Sequence, residues 1–156
     1  MMHWRCKMKA IVIYDSTYGN TEKIAQSIGS AIGSGAKVVR ISSVNPSDLD
    51  AVDLLVFGSP TQGGRATEAM QAFLNKLPDS AIKGKNIAVF DTRMTMKIAK
   101  LFGYAAGKMY DNLKKRGGNF VALPEPFYVT SSKGPLKDGE IERAANWGKE
   151  LGKGKS

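Results

Sequence analysis

The sequence is poor in the residues from which most catalytic centres are built. Its one cysteine, Cys6, and its one histidine, His3, both fall within the first seven residues. That inventory allows no disulfide framework and no multi-cysteine zinc or iron–sulfur cluster within one chain. A Ser-His-Asp or Cys-His centre would need the amino-terminal segment to fold back over the rest. Any redox chemistry therefore has to be borrowed from a cofactor, and no catalytic side chain and no metal site is expected. Long apolar runs are also missing. Residues 10–14 and 54–57 are strand-sized, far below the roughly 20 residues of a membrane-spanning helix. Residues 1–7 are basic but lack an apolar stretch before a small-residue cleavage site, so no signal peptide is read and a cytoplasmic location is expected.

Among 156 residues, 42% are apolar, enough for one compact domain with a real core and too few for two. The apolar register begins at Met8. Residues 1–7 are accordingly read as an extension, 8–152 as the domain and 153–156 as a tail. The formal charge is +9, from 23 Lys and Arg against 14 Asp and Glu. Such a surface steers toward acidic partners, nucleic acid or an anionic surface, and it also serves plain solubility. The densest basic run, Lys114-Lys115-Arg116, has no interleaved aromatic residues to stack bases, which argues against nucleic acid.

Residues 9–14 form a near-continuous apolar run, as expected of a central strand covered on both faces. After a glycine-containing turn, Ile24, Ala25, Ile28, Ala31 and Ile32 recur at helical spacing until Gly33-Ser34-Gly35. The phrase then repeats: a strand over 37–41, a linker with Pro46, a strand over 54–57, and a helix placing Met70, Phe73, Leu74 and Leu77 on one face. A strand over 87–90 and a helix marked by Ile98, Leu101, Phe102, Ala105, Met109 and Leu113 come next. A last strand over 120–123 resumes at 127–129 after Pro124-Glu125-Pro126, and prolines there predict a sheet edge. Ile141, Ala144, Ala145, Gly148 and Leu151 give the final helix its apolar stripe. Alternating strands and helices imply parallel pairing through right-handed crossovers. The predicted architecture is a three-layer, doubly wound α/β sandwich with five parallel strands. Ligands in such sheets bind beyond the carboxyl ends of the strands, so three loops are the candidates.

The first loop, Ser16-Thr17-Tyr18-Gly19-Asn20-Thr21, places hydroxyls, an amide and a glycine between a strand and a helix start. Unpaired N–H groups and a partial positive charge make a helix start a natural phosphate nest. The same residue types also serve as ordinary helix caps, and the loop alone does not choose between the two. It has no lysine or arginine and lacks the Gly-Lys-Ser/Thr ending of a nucleotide triphosphate loop; a GxGxxG pattern is absent too. The second loop is Gly58-Ser59-Pro60-Thr61-Gln62-Gly63-Gly64-Arg65, with glycines suited to close backbone approach. The third opens at Asp91-Thr92-Arg93-Met94.

Placed directly after an apolar amino-terminal strand, the first loop resembles the phosphate-binding signature of flavodoxins, usually Thr/Ser-x-Thr-Gly-Asn-Thr. Tyr18 is the departure, standing where many flavodoxins carry threonine; flavodiiron proteins and flavodoxin-like quinone reductases often carry an aromatic there. The Gly58-Ser59-Pro60-Thr61 stretch resembles the segment that borders the isoalloxazine ring in those relatives. Residues 134–144 resemble the lead into a flavodoxin's last helix, so the similarity covers nearly all of 8–151.

The resemblance implies strand order 2-1-3-4-5 and flavin mononucleotide (FMN) as cofactor. The implied site residues are Ser16, Thr17, Tyr18, Gly19, Asn20 and Thr21 for the phosphate. Pro60, Thr61, Gln62, Gly63, Gly64, Thr92, Arg93 and Met94 would lie around the ring. Thr61 and neighbouring amides would bond the polar edge of the flavin, Arg93 would either stand near its N1–O2 side or form a surface salt bridge, and Met94 or Met96 would cover a face. Electron-transfer flavodoxins usually sandwich the ring between aromatics, and neither 60–65 nor 91–98 contains one. The implied function is electron transfer to a redox partner protein, acidic where the usual flavodoxin partner is basic. The alternatives are a flavin-dependent oxidoreductase of quinone-reductase or protoporphyrinogen-oxidase type, and a non-redox binding module that keeps the fold.

Overall fold

A computed structural model describes residues 8–95 and 104–153. The core strand β1 (Ala10–Tyr14) is buried throughout, as its apolar run requires. It leads into α1 (Asn20–Ile32), followed by β2 (Ala36–Arg40), two short 3-10 turns, and β3 (Leu54–Pro60). Next come α2 (Glu68–Lys76), β4 (Asn86–Met94) and α3 (Ala105–Lys115). The chain finishes with β5 (Asn119–Phe120), β6 (Glu125–Val129) and α4 (Glu140–Gly152).

The sheet runs β2-β1-β3-β4-β5, all parallel, and β6 also pairs with β4. The order is the expected 2-1-3-4-5. The fifth position is shared by two pieces, β5 against Asn86–Ile87 and β6 against Phe90–Met94. The edge break expected at the prolines is present, but it lies at 121–124, and Pro126 itself sits in β6 opposite Asp91. An edge strand tolerates this because one side needs no donor.

Alternation along the strands divides the core in two. Ile11, Ile13, Leu55, Phe57, Ile87 and Val89 face Met70 and Leu74 of α2 and Met109 and Leu113 of α3. Val12, Leu54, Val56, Ala88 and Phe90 face Ile24 and Ile28 of α1 and Ala144 of α4. A strand buried on both faces reads as continuous apolar sequence, which is why its period was invisible in β1. The two helices of the second layer nearly touch: a Cβ on Gly148 would lie 2.6 Å from the Ile28 carbonyl oxygen. Among the described residues no helix is long and apolar enough to cross a membrane.

Several boundaries differ from expectation, β5 ending at Phe120 rather than 123 and β6 beginning at Glu125 rather than 127 among them, and three further ones have a pairing reason. β2 occupies 36–40, one residue earlier than predicted, because its register follows Ala10↔Ala36 through Tyr14↔Arg40. Gly58, Ser59 and Pro60 are strand, not loop, since β3 continues to Pro60↔Thr92. Asp91, Thr92, Arg93 and Met94 are likewise strand: β6 pairs with β4 as far as Met94↔Val129 and carries it past the predicted end. The expected helix positions Ile98, Leu101 and Phe102, and Met96, lie outside the described residues; Ala105, Met109 and Leu113 are buried on α3 as predicted.

Candidate functional site

The strand order reverses between β1 and β3, and a cleft of about 410 Å³ opens at the carboxyl ends of these strands. That volume is within the range of small-ligand sites. Its walls take residues from all three predicted segments: Ser16, Thr17, Tyr18, Asn20 and Thr21; Pro60, Thr61, Gln62 and Gly63; Thr92, Arg93 and Met94. Gly19 and Gly64 do not line it and serve instead as turn residues, with φ of 93° and 80°. Val129 and Ser132 line the cleft and escaped the sequence reading. The hydroxyl-rich run Thr130-Ser131-Ser132 ahead of Gly134-Pro135 was the available signal.

The first loop is held by its own side chains. Ser16 Oγ accepts from the N–H of Gly19 at 3.0 Å and of Glu22 at 3.4 Å. Asn20 Nδ2 donates to the Lys133 carbonyl, and the Thr21 and Thr92 hydroxyls share a hydrogen bond of 2.8 Å. Gln62 Nε2 donates to Thr17 Oγ1 at 2.9 Å, joining the second segment to the first. Ser16 therefore does part of the capping work, whereas Asn20 and Thr21 are bonded across the cleft. The N-cap of α1 is Gly19, which offers no side chain. Among the described residues, the backbone N–H groups of Thr17, Tyr18, Asn20 and Thr21 have no protein acceptor. Thr17 and Tyr18 are exposed, but Asn20 and Thr21 are buried, and buried amides without partners are costly unless something else accepts from them.

The second segment closes as a tight turn in which Gln62 and Arg65 exchange backbone hydrogen bonds of 2.8 and 3.2 Å. Gly63 and Gly64, at φ of 59° and 80°, supply the two left-handed positions such a turn demands. The N–H of Thr61 donates to the Thr92 carbonyl and that of Gln62 to Arg65. Of the amides expected to meet a ligand beside Thr61, these two are already bonded within the chain. The N–H groups of Gly63 and Gly64 have no acceptor among the described residues. Thr61 Oγ1 accepts from the N–H of Ala105.

Arg93 is committed inward rather than to solvent. Its Nε and Nη2 donate to the two carboxylate oxygens of Asp91 at 2.8 and 2.7 Å, and its guanidinium lies 3.4 Å from the Tyr104 ring centroid. Asp91 is wholly buried, and its Oδ2 also accepts from the N–H of Ala106. Bidentate arginine and a helix start are what allow a carboxylate to be buried at this depth. Asp15, next to the first loop, accepts from Thr67 Oγ1 at 2.5 Å and from Arg40. Arg40 also reaches Glu22. Burial, and then the Glu22 charge, push the Tyr14 phenol above its ordinary value. Tyr18 is 54% exposed.

A parallel doubly wound sheet with an anion-ready helix start at its switch point defines a mononucleotide-binding α/β protein. The flavodoxin family model matches residues 12–147. A flavodoxin of Buchnera aphidicola subsp. Acyrthosiphon pisum (strain APS) is 32% identical over 134 residues, covering 83% of this chain and 78% of that protein. Solved structures agree in fold: a flavodoxin from the domain Archaea superposes with TM-score 0.78 at 22% identity, covering 94% of this chain and 97% of that one. Oxidised Flavodoxin 1 from Bacillus cereus gives 0.76 at 24% identity, covering 95% and 99%. The chain belongs to the flavodoxin family.

Proposed function

We propose that this protein is an FMN-binding electron carrier that seats the FMN phosphate against residues 16–21 and the ring between residues 60–64 and 92–94. The observation that carries the reading is the set of N–H groups at Thr17, Tyr18, Asn20 and Thr21 left without acceptors at a helix start. A phosphate dianion supplies the missing acceptors and complements the helix dipole. The donor set fits the group: neutral amides and hydroxyls, with no carboxylate lining the cleft among the described residues.

Bound FMN supplies one- and two-electron transfer; the chain supplies binding, orientation and electrostatics. Thr21 and Thr92 hold the loop to the sheet, and Gln62 holds Thr17 to the glycine turn. Pro60, Met94 and Val129 give the ring apolar wall. Gly63, which lines the cleft, offers its amide for the polar edge. The family and its relatives favour the carrier over the flavin-enzyme alternative. Residues 8–152 would form the domain, in a cytoplasmic setting for which a single cysteine is well suited.

The partner in this reading is an acidic redox protein. Near the cleft Asp15, Glu22 and Asp91 are each held by an arginine. Arg65 and Lys133 are exposed and have no ion pair among the described residues. Reduced protein should pass electrons to anionic hexacyanoferrate(III) more slowly as salt rises, and to cationic hexaammineruthenium(III) faster. The opposite salt trends would refute an acidic partner. A purified protein that stays colourless and ignores added FMN would refute the carrier itself.

A further inference from the structure

Building on the phosphate site proposed above, we infer that Lys133 supplies the cation that residues 16–21 lack, and thereby strengthens the preference for FMN over riboflavin. The loop itself is uncharged. Two other cations are near, but their charges are already matched: Arg40 donates to the Ser16 carbonyl and to the carboxylates of Asp15 and Glu22, and Arg93, which lines the cleft, is paired bidentately with Asp91.

Lys133 directly follows Ser132, which lines the cleft, and is itself exposed. Its loop, between β6 and α4, is closed by hydrogen bonds from Thr130 N–H to the Pro135 carbonyl and from Gly134 N–H to the Ser131 carbonyl, each 2.9 Å. It is docked on the first loop by Asn20 Nδ2, which donates to the Lys133 carbonyl at 3.2 Å. The fit beside it is close: a Cβ on Gly134 would stand 2.6 Å from Asn20 Nδ2. These ties fix the root of the lysine relative to α1's start. Its Nζ lies 5.9 Å from the centroid of the Tyr18 ring, within cation–π range. It has no carboxylate partner among the described residues.

Tyr18, the departure from the flavodoxin pattern, thus draws the Lys133 ammonium toward the loop whose amides have no acceptor among the described residues. A dianion bound to neutral donors gains from a cation a few ångströms away, and at a half-exposed site that gain is screened by salt. Riboflavin has no phosphate and gains nothing from it.

The test is fluorescence titration of apoprotein with FMN and with riboflavin at about 20 mM and about 500 mM KCl, conditions on either side of strong screening. Lys133→Met should weaken FMN binding about 3- to 10-fold at low salt and much less at high salt. Its riboflavin affinity should stay within about twofold, and Lys133→Arg should restore FMN binding. An unchanged FMN affinity in Lys133→Met at low salt, or equal losses for FMN and riboflavin, would overturn the assignment. Wild-type protein that binds riboflavin as tightly as FMN removes the phosphate site, and this inference with it; that result needs no variant and so identifies which step failed.

Discussion

Two helices begin at the same edge of the sheet and treat their amino termini in opposite ways. At α3, Thr61 Oγ1 accepts from Ala105 and the buried Asp91 carboxylate accepts from Ala106, with Arg93 balancing the charge. At α1, the N-cap is a glycine, and the amides of Asn20 and Thr21 have no acceptor among the described residues. A helix start used for the protein's own architecture receives an anion from the chain. The α1 start, which we propose is kept for a ligand, has small neutral residues and is left open. The difference is of charge more than of shape, because both starts lie where the dipole favours negative groups.

The comparison breaks most visibly at Asp91. Asp91→Ala removes an acceptor from α3 and leaves Arg93 unpaired in a nearly buried position; urea unfolding of the apoprotein should show a loss of about 3–5 kcal/mol. Its preference for FMN over riboflavin should survive among molecules that fold. An unchanged unfolding midpoint would mean the α3 start needs no internal anion. Ser16→Ala acts on the other helix. By freeing the N–H groups of Gly19 and Glu22 it should loosen the nest, lowering FMN affinity about tenfold, equivalent to about 1.4 kcal/mol, with little change for riboflavin.

Thr67→Ala sharpens the contrast by touching a third start. Thr67 Oγ1 accepts from Met70 N–H and donates to Asp15, so its loss should cost about 1 kcal/mol by thermal or urea unfolding while FMN selectivity is kept. The smallest effect concerns α4. Hydrogen bonds from Arg143 hold the Glu140 carboxyl below its ordinary value of 4.5, against an opposing push from burial. A carboxylate depressed in the folded state stabilises above that ordinary value, and the contribution is lost as pH falls through and below it. Glu140→Gln should flatten the acid side of the stability curve there and leave neutral-pH FMN binding alone.

How far the sequence revealed this arrangement depended on the range of the interactions. The strand and helix order and the parallel sheet were legible because apolar periodicity and glycine turns are local signals, and the wall residues from three segments followed from the resemblance to flavodoxins. The ends of β3 and β4 were not. Whether 58–60 and 91–94 are strand depends on pairing with each other and with β6, a partner more than thirty residues downstream of Arg93 in the chain. The inward commitment of Arg93 was hidden for the same reason: Asp91 lies two residues away, but Tyr104 and the α3 start complete the pocket that buries them. Val129 and Ser132 became wall residues only when Asn20 and the 130–135 loop were seen to dock. Thr61, expected as a ligand donor, lines the cleft, and its Oγ1 also accepts from the Ala105 N–H, a contact no local signal shows.

Calorimetric titration of the apoprotein with FMN and with riboflavin tests the central claim, that the open start of α1 is a phosphate site. The account predicts about one equivalent of FMN bound and riboflavin weaker by about 100-fold or more, since several charge-assisted hydrogen bonds are lost with the phosphate. Equal affinity for the two would contradict it.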